Sequence, residues 1–134
     1  MSYFEWNSNL DLGVDSMNDE HKHLIDLMNK LHALNESKSP HATLLRAVDD
    51  LAGYTVKHFA DEEAFMASVN FPGLATHKLI HQQLLQQLSE QRDAFAQAGG
   101  TVPDAFFKFL KHWLSAHIKG IDMKYGRHAN ANAA

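Results

Sequence analysis

Four stretches of the sequence repeat apolar residues at the spacing of an amphipathic α-helix, and this periodicity limits the possible folds most strongly. The first begins within residues 16–19 and ends in the polar stretch 37–39, and the second begins at 39–40 and ends at 70–73. The third contains residues 76–88 and ends at 99–100, and the fourth runs from 103 to about 120. Helices of this length joined by short connections pack as antiparallel neighbours. The sequence therefore predicts an all-α fold, an up-down-up-down antiparallel four-helix bundle.

The whole chain, residues 1–134, is expected to form one domain with three parts. Residues 1–15 form an N-terminal arm whose Phe4 and Trp6 cover the bundle, 16–127 form the bundle and its final turn, and 128–134 are a frayed tail. Short polar residues at 16–19 are predicted to cap the first helix. Ser39 is the predicted N-cap of the second helix, with Pro40 at its first helical position.

Composition excludes several classes of protein. A net charge of −4, with no run of basic residues, argues against nucleic-acid binding, which depends on clustered Lys and Arg. Cysteine is absent, so any metal must be bound by nitrogen and oxygen ligands. The sequence has no signal-peptide pattern and no apolar run of about 18 residues or more, so no membrane insertion is predicted. We expect a cytoplasmic protein, monomeric because no long exposed apolar stripe requires association.

Two pairs of chemically active residues lie on the predicted core faces of helices. His77 and His81, in the sequence HKLIH, differ by only ~40° around a helix axis, so both imidazoles can reach one ion. His58 and Glu62, in HFADE, have the same spacing. A histidine and a carboxylate on a core face are costly to bury without a partner. The two pairs together therefore favour a metal site over an ordinary amphipathic helix.

Periodicity alone leaves two further positions open. His117 points inward on the fourth helix, but Asp122 would lie ~140° away from it in an ideal helix. Unwinding at Gly120 could return that carboxylate to the core. On the first helix, His21 and His23 cannot both face inward, and the apolar face favours His21 only slightly.

In this order, the motifs DEHK, HFADEE, HKLIH and HIKGID resemble those of the hemerythrin family, with one motif on each helix. The resemblance covers nearly the whole chain. The length of the chain and its N-terminal arm are similar to those of the single-domain bacterial members of the family. It implies a non-haem di-iron centre, oxo- or hydroxo-bridged. His77, His81 and His117 would bind one iron, His21 and His58 the other, and Glu62 and Asp122 would bridge the two.

The implied ligand set is rich in neutral nitrogen, unlike the carboxylate-rich di-iron sites built from Glu-x-x-His pairs. Three histidines, two bridging carboxylates and a bridging solvent oxygen would occupy all six coordination positions of one iron. The other iron would have two histidines and the same bridging groups, which leaves one coordination position open. O2, or another small diatomic molecule or anion, could bind there. A dry pocket would protect it, and helical spacing predicts that the pocket is formed by Leu24, Ile25, Phe59, Trp113, Leu114 and Ile118.

Within this pocket, Leu114 is predicted to act as a gate, because it precedes His117 by less than one turn. Tyr54 and Glu63 are predicted to orient ligand imidazoles. The remaining histidines are expected to have no role in the site, and they are His23, His32, His41, His112 and His128.

Reversible O2 binding for transport, storage or buffering, without enzymatic activity, is the predicted function. An O2- or redox-sensing module is the first alternative, although the chain ends soon after the fourth helix and leaves no room for an output domain. A di-iron oxidase or peroxide-handling enzyme is the second, and the missing Glu-x-x-His pairs argue against it. Spacing alone also permits zinc, which accepts the same ligands.

Overall fold

A computed structural model describes residues 3–133 of the chain and the side chains of residues 3–131. Its main helices are α1 (Asp15–Glu36), α2 (His41–Ser68), α3 (Leu74–Ala98), α4 (Asp104–His117) and α5 (Met123–Ala133). A short 3-10 helix spans Ser8–Leu10, and a π-helical turn spans Ile118–Asp122. No strand occurs within residues 3–133. Helix α2 packs against α1 and α3, and α4 packs against α1. The predicted all-α four-helix bundle is confirmed.

The helix starts differ slightly from the predicted ones. Helix α1 begins at Asp15 without a side-chain cap, and α2 begins at His41, so Pro40 rather than Ser39 is its N-cap residue. Among the expected capping residues, Asn18 has another role. Its side-chain oxygen accepts a hydrogen bond from the backbone N–H of Leu12 over 3.0 Å. Asn18 therefore anchors the arm to α1 instead of capping the helix.

The N-terminal arm packs against the bundle core. Phe4 is buried, Trp6 is half-buried against the core, and Leu10 and Leu12 are also buried. The side-chain amide of Asn29 exchanges two hydrogen bonds with the backbone of Phe4, at 2.9 and 2.8 Å. These contacts fix the arm over α1 and close one side of the core. Met1 and Ser2 lie outside the described residues.

The sequence predicts either an end or a local unwinding of the fourth helix at Gly120, and the structure has α4 ending at His117, directly before a π-helical turn that contains Gly120. The π-helical turn leads directly into α5, which continues to Ala133. The structure thus differs from the frayed tail predicted for residues 128–134, of which Ala134 is outside the described part. His128 Nε2 hydrogen-bonds the carbonyl oxygen of Val69 over 2.8 Å. A Cβ at Gly126 would lie 2.6 Å from the Leu12 carbonyl oxygen, so glycine allows α5 to approach the arm closely.

None of the described helices is both long and apolar enough to cross a membrane. The long helices are instead polar on one side and carry their apolar side chains toward the bundle axis. Along that axis, the core contains a group of buried histidines and carboxylates among the apolar side chains.

Candidate metal centre

The bundle core holds two overlapping groups of possible metal ligands, and they contain all seven predicted residues. Within each group the potential ligand atoms lie within 4.8 Å of one another. The larger group consists of Glu62, His77, His81, His117 and Asp122. The smaller group consists of His21, His58, Glu62 and Asp122. Both carboxylates thus belong to both groups.

Each helix of the bundle contributes to this cluster. Helix α1 places His21 in the core, whereas His23 is exposed, which decides the choice that periodicity left open. The pairs at i and i+4 in α2 and α3 point inward together, as their spacing predicted. All seven side chains are buried, and His117 is the most accessible at 5%.

The π-helical turn explains how Asp122 reaches the site. In an α-helix, a residue five positions after His117 would point elsewhere, but π-helical geometry pairs residues i and i+5. Asp122 ends the π-helical segment, and its Oδ1 lies 3.0 Å from His117 Nε2. Apart from the adjacent residues and the backbone of the helix itself, no heavy atom lies within 4 Å of a Cβ built at Gly120. The turn therefore places the carboxylate, and the glycine is not required for space.

Each carboxylate directs one oxygen to each group. Asp122 Oδ1 lies 3.0 Å from Nε2 of His77, and Oδ2 lies 3.1 Å from Nε2 of His21. Glu62 Oε1 lies 3.1 Å from His81 Nε2, while Oε2 lies 3.4 Å from Nε2 of both His21 and His58. Each carboxylate thus has one oxygen available to each of the two groups of possible ligands.

Several of these atoms are buried without a hydrogen-bond partner, although oppositely charged groups are near. They are Nε2 of His21, His77, His81 and His117, Oε1 of Glu62, and both side-chain oxygens of Asp122. Each of these four nitrogens nevertheless lies 3.0 to 3.4 Å from a carboxylate oxygen. Leaving buried polar atoms unpaired costs about 1–3 kcal/mol each. The atoms therefore fit a metal, whose bonds would use these convergent lone pairs, and imidazole with carboxylate suits iron or zinc.

Charge in the metal-free cluster is balanced by protons on histidine. Burial lowers the pKa of His58, but the charge of Glu62 and the Glu20 hydrogen bond outweigh it and raise the pKa to about 10. Burial also acts to raise the pKa of Glu62, yet the charge of His58 and contacts with the imidazoles hold it well below its usual value. Burial and the charge of Glu62 act to raise the pKa of Asp122, but the charge and contact of His117, together with His21, outweigh them and lower it. Two cations would replace these protons.

This balance predicts a pH-dependent stability for the metal-free protein. The pKa of His58 in the folded protein, about 10, is higher than the pKa of 6.5 that an ordinary histidine has in the unfolded chain. Protonation of His58 therefore stabilises the fold, and this contribution is fully present below pH 6.5. That contribution should decline as pH rises from 6.5 to about 10. Urea unfolding of the metal-free protein across this range measures it, with a His58→Gln variant as the control that should lose most of the slope. A free energy of unfolding that increases with pH in wild type would contradict the prediction.

Two histidines hydrogen-bond to carboxylates through their outer nitrogens. His81 Nδ1 lies 2.9 Å from Glu63 Oε2, as expected for the predicted orienting residue. His58 Nδ1 lies 2.6 Å from Glu20 Oε1, a contact that periodicity did not predict. Tyr54 instead packs against the His23 ring, with centroids 4.3 Å apart, so its predicted contact with a ligand is wrong. The sequence feature that could have pointed to Glu20 is its position in DEHK, directly before His21.

Tyr125 is a second residue that sequence reasoning missed. Its hydroxyl donates a hydrogen bond to Glu62 Oε2 over 2.6 Å, and the side chain is fully buried. Burial, followed by the charges of Glu62 and Asp122, raises the pKa of Tyr125, so the hydroxyl keeps its proton. Helical spacing from Asp122, three residues earlier, could have placed it near the site.

Replacing Tyr125 with Phe should remove one donor to a buried carboxylate. We expect the metal-free protein to lose about 1.5–3 kcal/mol of unfolding free energy, the range for hydrogen bonds to charged groups. Tyr54→Phe is the matched control and should change stability by less than about 0.5 kcal/mol. Equal losses in the two variants, measured by urea unfolding, would show that the Glu62 contact contributes little.

The six residues predicted to line an O2 pocket are all buried in the core. Phe59 lies flat on the His81 ring, with centroids 3.7 Å apart, and its edge meets Trp113. The two rings thus shield the larger ligand group from solvent. Whether these residues admit O2 stays a prediction.

The five histidines expected to lie outside the site do so. His23 and His112 are exposed, and the other three are half-buried at the bundle surface. His32 stacks on Tyr3, with centroids 4.5 Å apart, and His41 Nδ1 contacts the carbonyl oxygen of Gly100 at 3.0 Å. None of the five appears in either ligand group.

Comparison with known proteins agrees with this geometry. Residues 12–129 match the protein family described as hemerythrin HHE cation binding domain. The chain is 32% identical over 132 residues to the bacteriohemerythrin of Stenotrophomonas maltophilia, covering 98% of this chain and 85% of the relative. It is 39% identical over 124 residues to a hemerythrin-like protein of Naegleria gruberi, and 35% to the myohemerythrin of Riftia pachyptila, covering 92% of both chains in each case.

Solved structures show the same fold. The crystal structure of a leucine-to-alanine mutant of hemerythrin matches with a TM-score of 0.86 and 26% identity, over 96% of this chain and 98% of the other. Leucine-to-tyrosine and leucine-to-phenylalanine mutants match equally well. The chain belongs to the hemerythrin family. Its relatives over nearly the full length make it a protein of the bacteriohemerythrin type.

Proposed function

We propose that this protein binds O2 reversibly at a non-haem di-iron centre and serves in oxygen transport, storage or buffering. One observation carries the proposal, namely the unequal number of histidines around two shared carboxylates. Three imidazoles face one position and two face the other. With equal bridging, the position beside His21 and His58 has one ligand fewer, and a small molecule can bind there. Family membership supports this assignment.

The chain's own residues have distinct tasks in this proposal. His77, His81 and His117 would saturate one iron, so that exogenous ligands are confined to the other. Glu62 and Asp122 would hold the two ions at a fixed separation. Two ferrous ions held there would supply the two electrons that reversible binding of O2 requires. Nitrogen-rich coordination is less anionic than a carboxylate-rich one, which favours the ferrous state needed for a new cycle.

The apolar residues around the ligands would keep water and protons from the bound molecule. Tyr125 would hold its hydroxyl proton at Glu62 Oε2, since its pKa is raised. Neither ligand group contains a Glu-x-x-His pair, and all members of the two groups are buried, so no exposed acid within them would deliver protons. A carrier is therefore favoured over an oxidase.

Anaerobic reconstitution with ferrous iron tests the proposal. The loaded protein is exposed to air and then purged of O2 while its visible spectrum is recorded. A charge-transfer band that appears with O2 and disappears on its removal supports a carrier. Irreversible colour change with release of peroxide would indicate an oxidase. A protein purified with zinc that excludes iron would overturn the iron assignment.

A further inference from the structure

The outer nitrogens of the two histidines in the smaller ligand group differ sharply. His58 Nδ1 lies 2.6 Å from Glu20 Oε1. The His58 side chain is buried, and the Glu20 side chain is 17% exposed. His21 Nδ1 is also buried, but within the described residues it has no hydrogen-bond partner. The two imidazoles that face the same ion position thus have different environments on their far sides.

Such a contact changes how strongly an imidazole donates to a metal. A carboxylate that accepts the outer N–H fixes the tautomer and ring orientation and makes the inner nitrogen more basic. A 2.6 Å contact between imidazole and carboxylate is a short, charge-assisted hydrogen bond. His21 lacks this support, so its inner nitrogen is the weaker donor of the pair.

Glu20 also connects two helices at this point. It lies directly before His21 on α1, while its partner His58 lies on α2. One turn of α1 therefore supplies a ligand to the smaller group and fixes the orientation of the other ligand. The equivalent contact in the larger group, from Glu63 to His81, acts on a position that already has three histidines.

We infer that Glu20 is a positioning residue that sets the donor strength of His58, and through it the affinity of the open iron for exogenous ligands. The inference rests on the proposed di-iron function. Glu63 acts in the same way on His81, but its influence on the open position is smaller because it reaches only the saturated iron. Glu20 should thus affect ligand affinity more strongly than Glu63 does.

Replacing Glu20 with Gln separates charge from geometry, because the amide oxygen can still accept the outer N–H. Because His58 would then donate less electron density to the metal, the ferrous pair should bind O2 about tenfold more weakly. This is the low end of the roughly 10- to 100-fold effects that follow loss of a hydrogen-bond partner of a metal ligand. The ferric iron, now more electron-poor, should bind azide severalfold more tightly. Glu63→Gln is the matched control and should change both affinities less than about threefold.

The opposite signs separate tuning from damage. General loosening of the site would weaken O2 and azide binding together, and that result in Glu20→Gln would overturn the inference. Equal effects in Glu20→Gln and Glu63→Gln would overturn it too. If the unmodified protein never binds O2 reversibly, the proposed function itself fails, and the azide titrations still test Glu20.

A measurement without iron tests the contact directly. In the diamagnetic zinc-loaded protein, proton–nitrogen NMR should show a slowly exchanging Nδ1–H signal from His58. Glu20→Leu should remove this signal, whereas Glu20→Gln should retain it at a shifted frequency. Persistence of the unshifted signal in Glu20→Leu would show that Glu20 does not accept this proton, and would contradict the inference.

Discussion

Replacing Asp122 or Glu62 with Ala is expected to abolish stable binding of both metal ions. Each carboxylate directs one oxygen to each ligand group, so its loss weakens two ion positions together. The affinity for both ions should fall by more than about 100-fold, beyond the 10- to 100-fold effect of a residue that only supports a ligand. Metal content per chain after gel filtration measures the effect.

Two further variants test whether the loss of both metal ions is specific to the two carboxylates. His77→Ala removes one imidazole from the larger group only, so the smaller group should still retain an ion. His112→Ala, at an exposed position on α4, should leave metal content unchanged. Circular dichroism of the metal-free proteins monitors folding. Retention of both ions by Asp122→Ala or Glu62→Ala would show that neither carboxylate bridges them.

Replacing Leu114 with Ala is expected to destabilise the bundle and to accelerate autoxidation of the iron-loaded protein. Leu114 is 1% exposed and lies less than one turn before His117. Its truncation should cost about 2–5 kcal/mol, the range for buried leucines. The space created beside the ligands should admit water, which promotes irreversible oxidation. The autoxidation rate should rise at least severalfold.

Leu110→Ala provides the matched control, because Leu110 is also fully buried but lies one turn further from His117. Both variants should lose similar stability in urea unfolding. Only Leu114→Ala should lose the O2-dependent band faster at constant temperature. Equal autoxidation rates in wild type and Leu114→Ala would eliminate the gating role.

The fold and most of the candidate site followed from local sequence patterns. Four amphipathic stretches with short connections allow few arrangements other than an antiparallel bundle. Inward-facing pairs such as His58 with Glu62 follow directly from the i,i+4 spacing. These features depend on neighbours in the sequence, which is why periodicity alone could identify them.

The remaining features depend on geometry that no single helix specifies. Asp122 reaches the cluster only because five residues adopt a π-helical turn, whereas ideal α-helical spacing would exclude it. Glu20 meets His58 across two helices, and Asn18 binds the arm rather than capping α1. The helix beyond residue 127 is secured by contacts with distant backbone, such as that of Val69.

The amount of O2 bound and released by the iron-loaded protein tests the central claim most directly. An oxygen electrode and iron analysis on the same sample give the ratio of O2 to iron over repeated cycles. We predict one O2 for each pair of iron ions, recovered on removal of O2, with no hydrogen peroxide formed. Uptake that is not recovered, or that yields hydrogen peroxide or water, would contradict a reversible carrier.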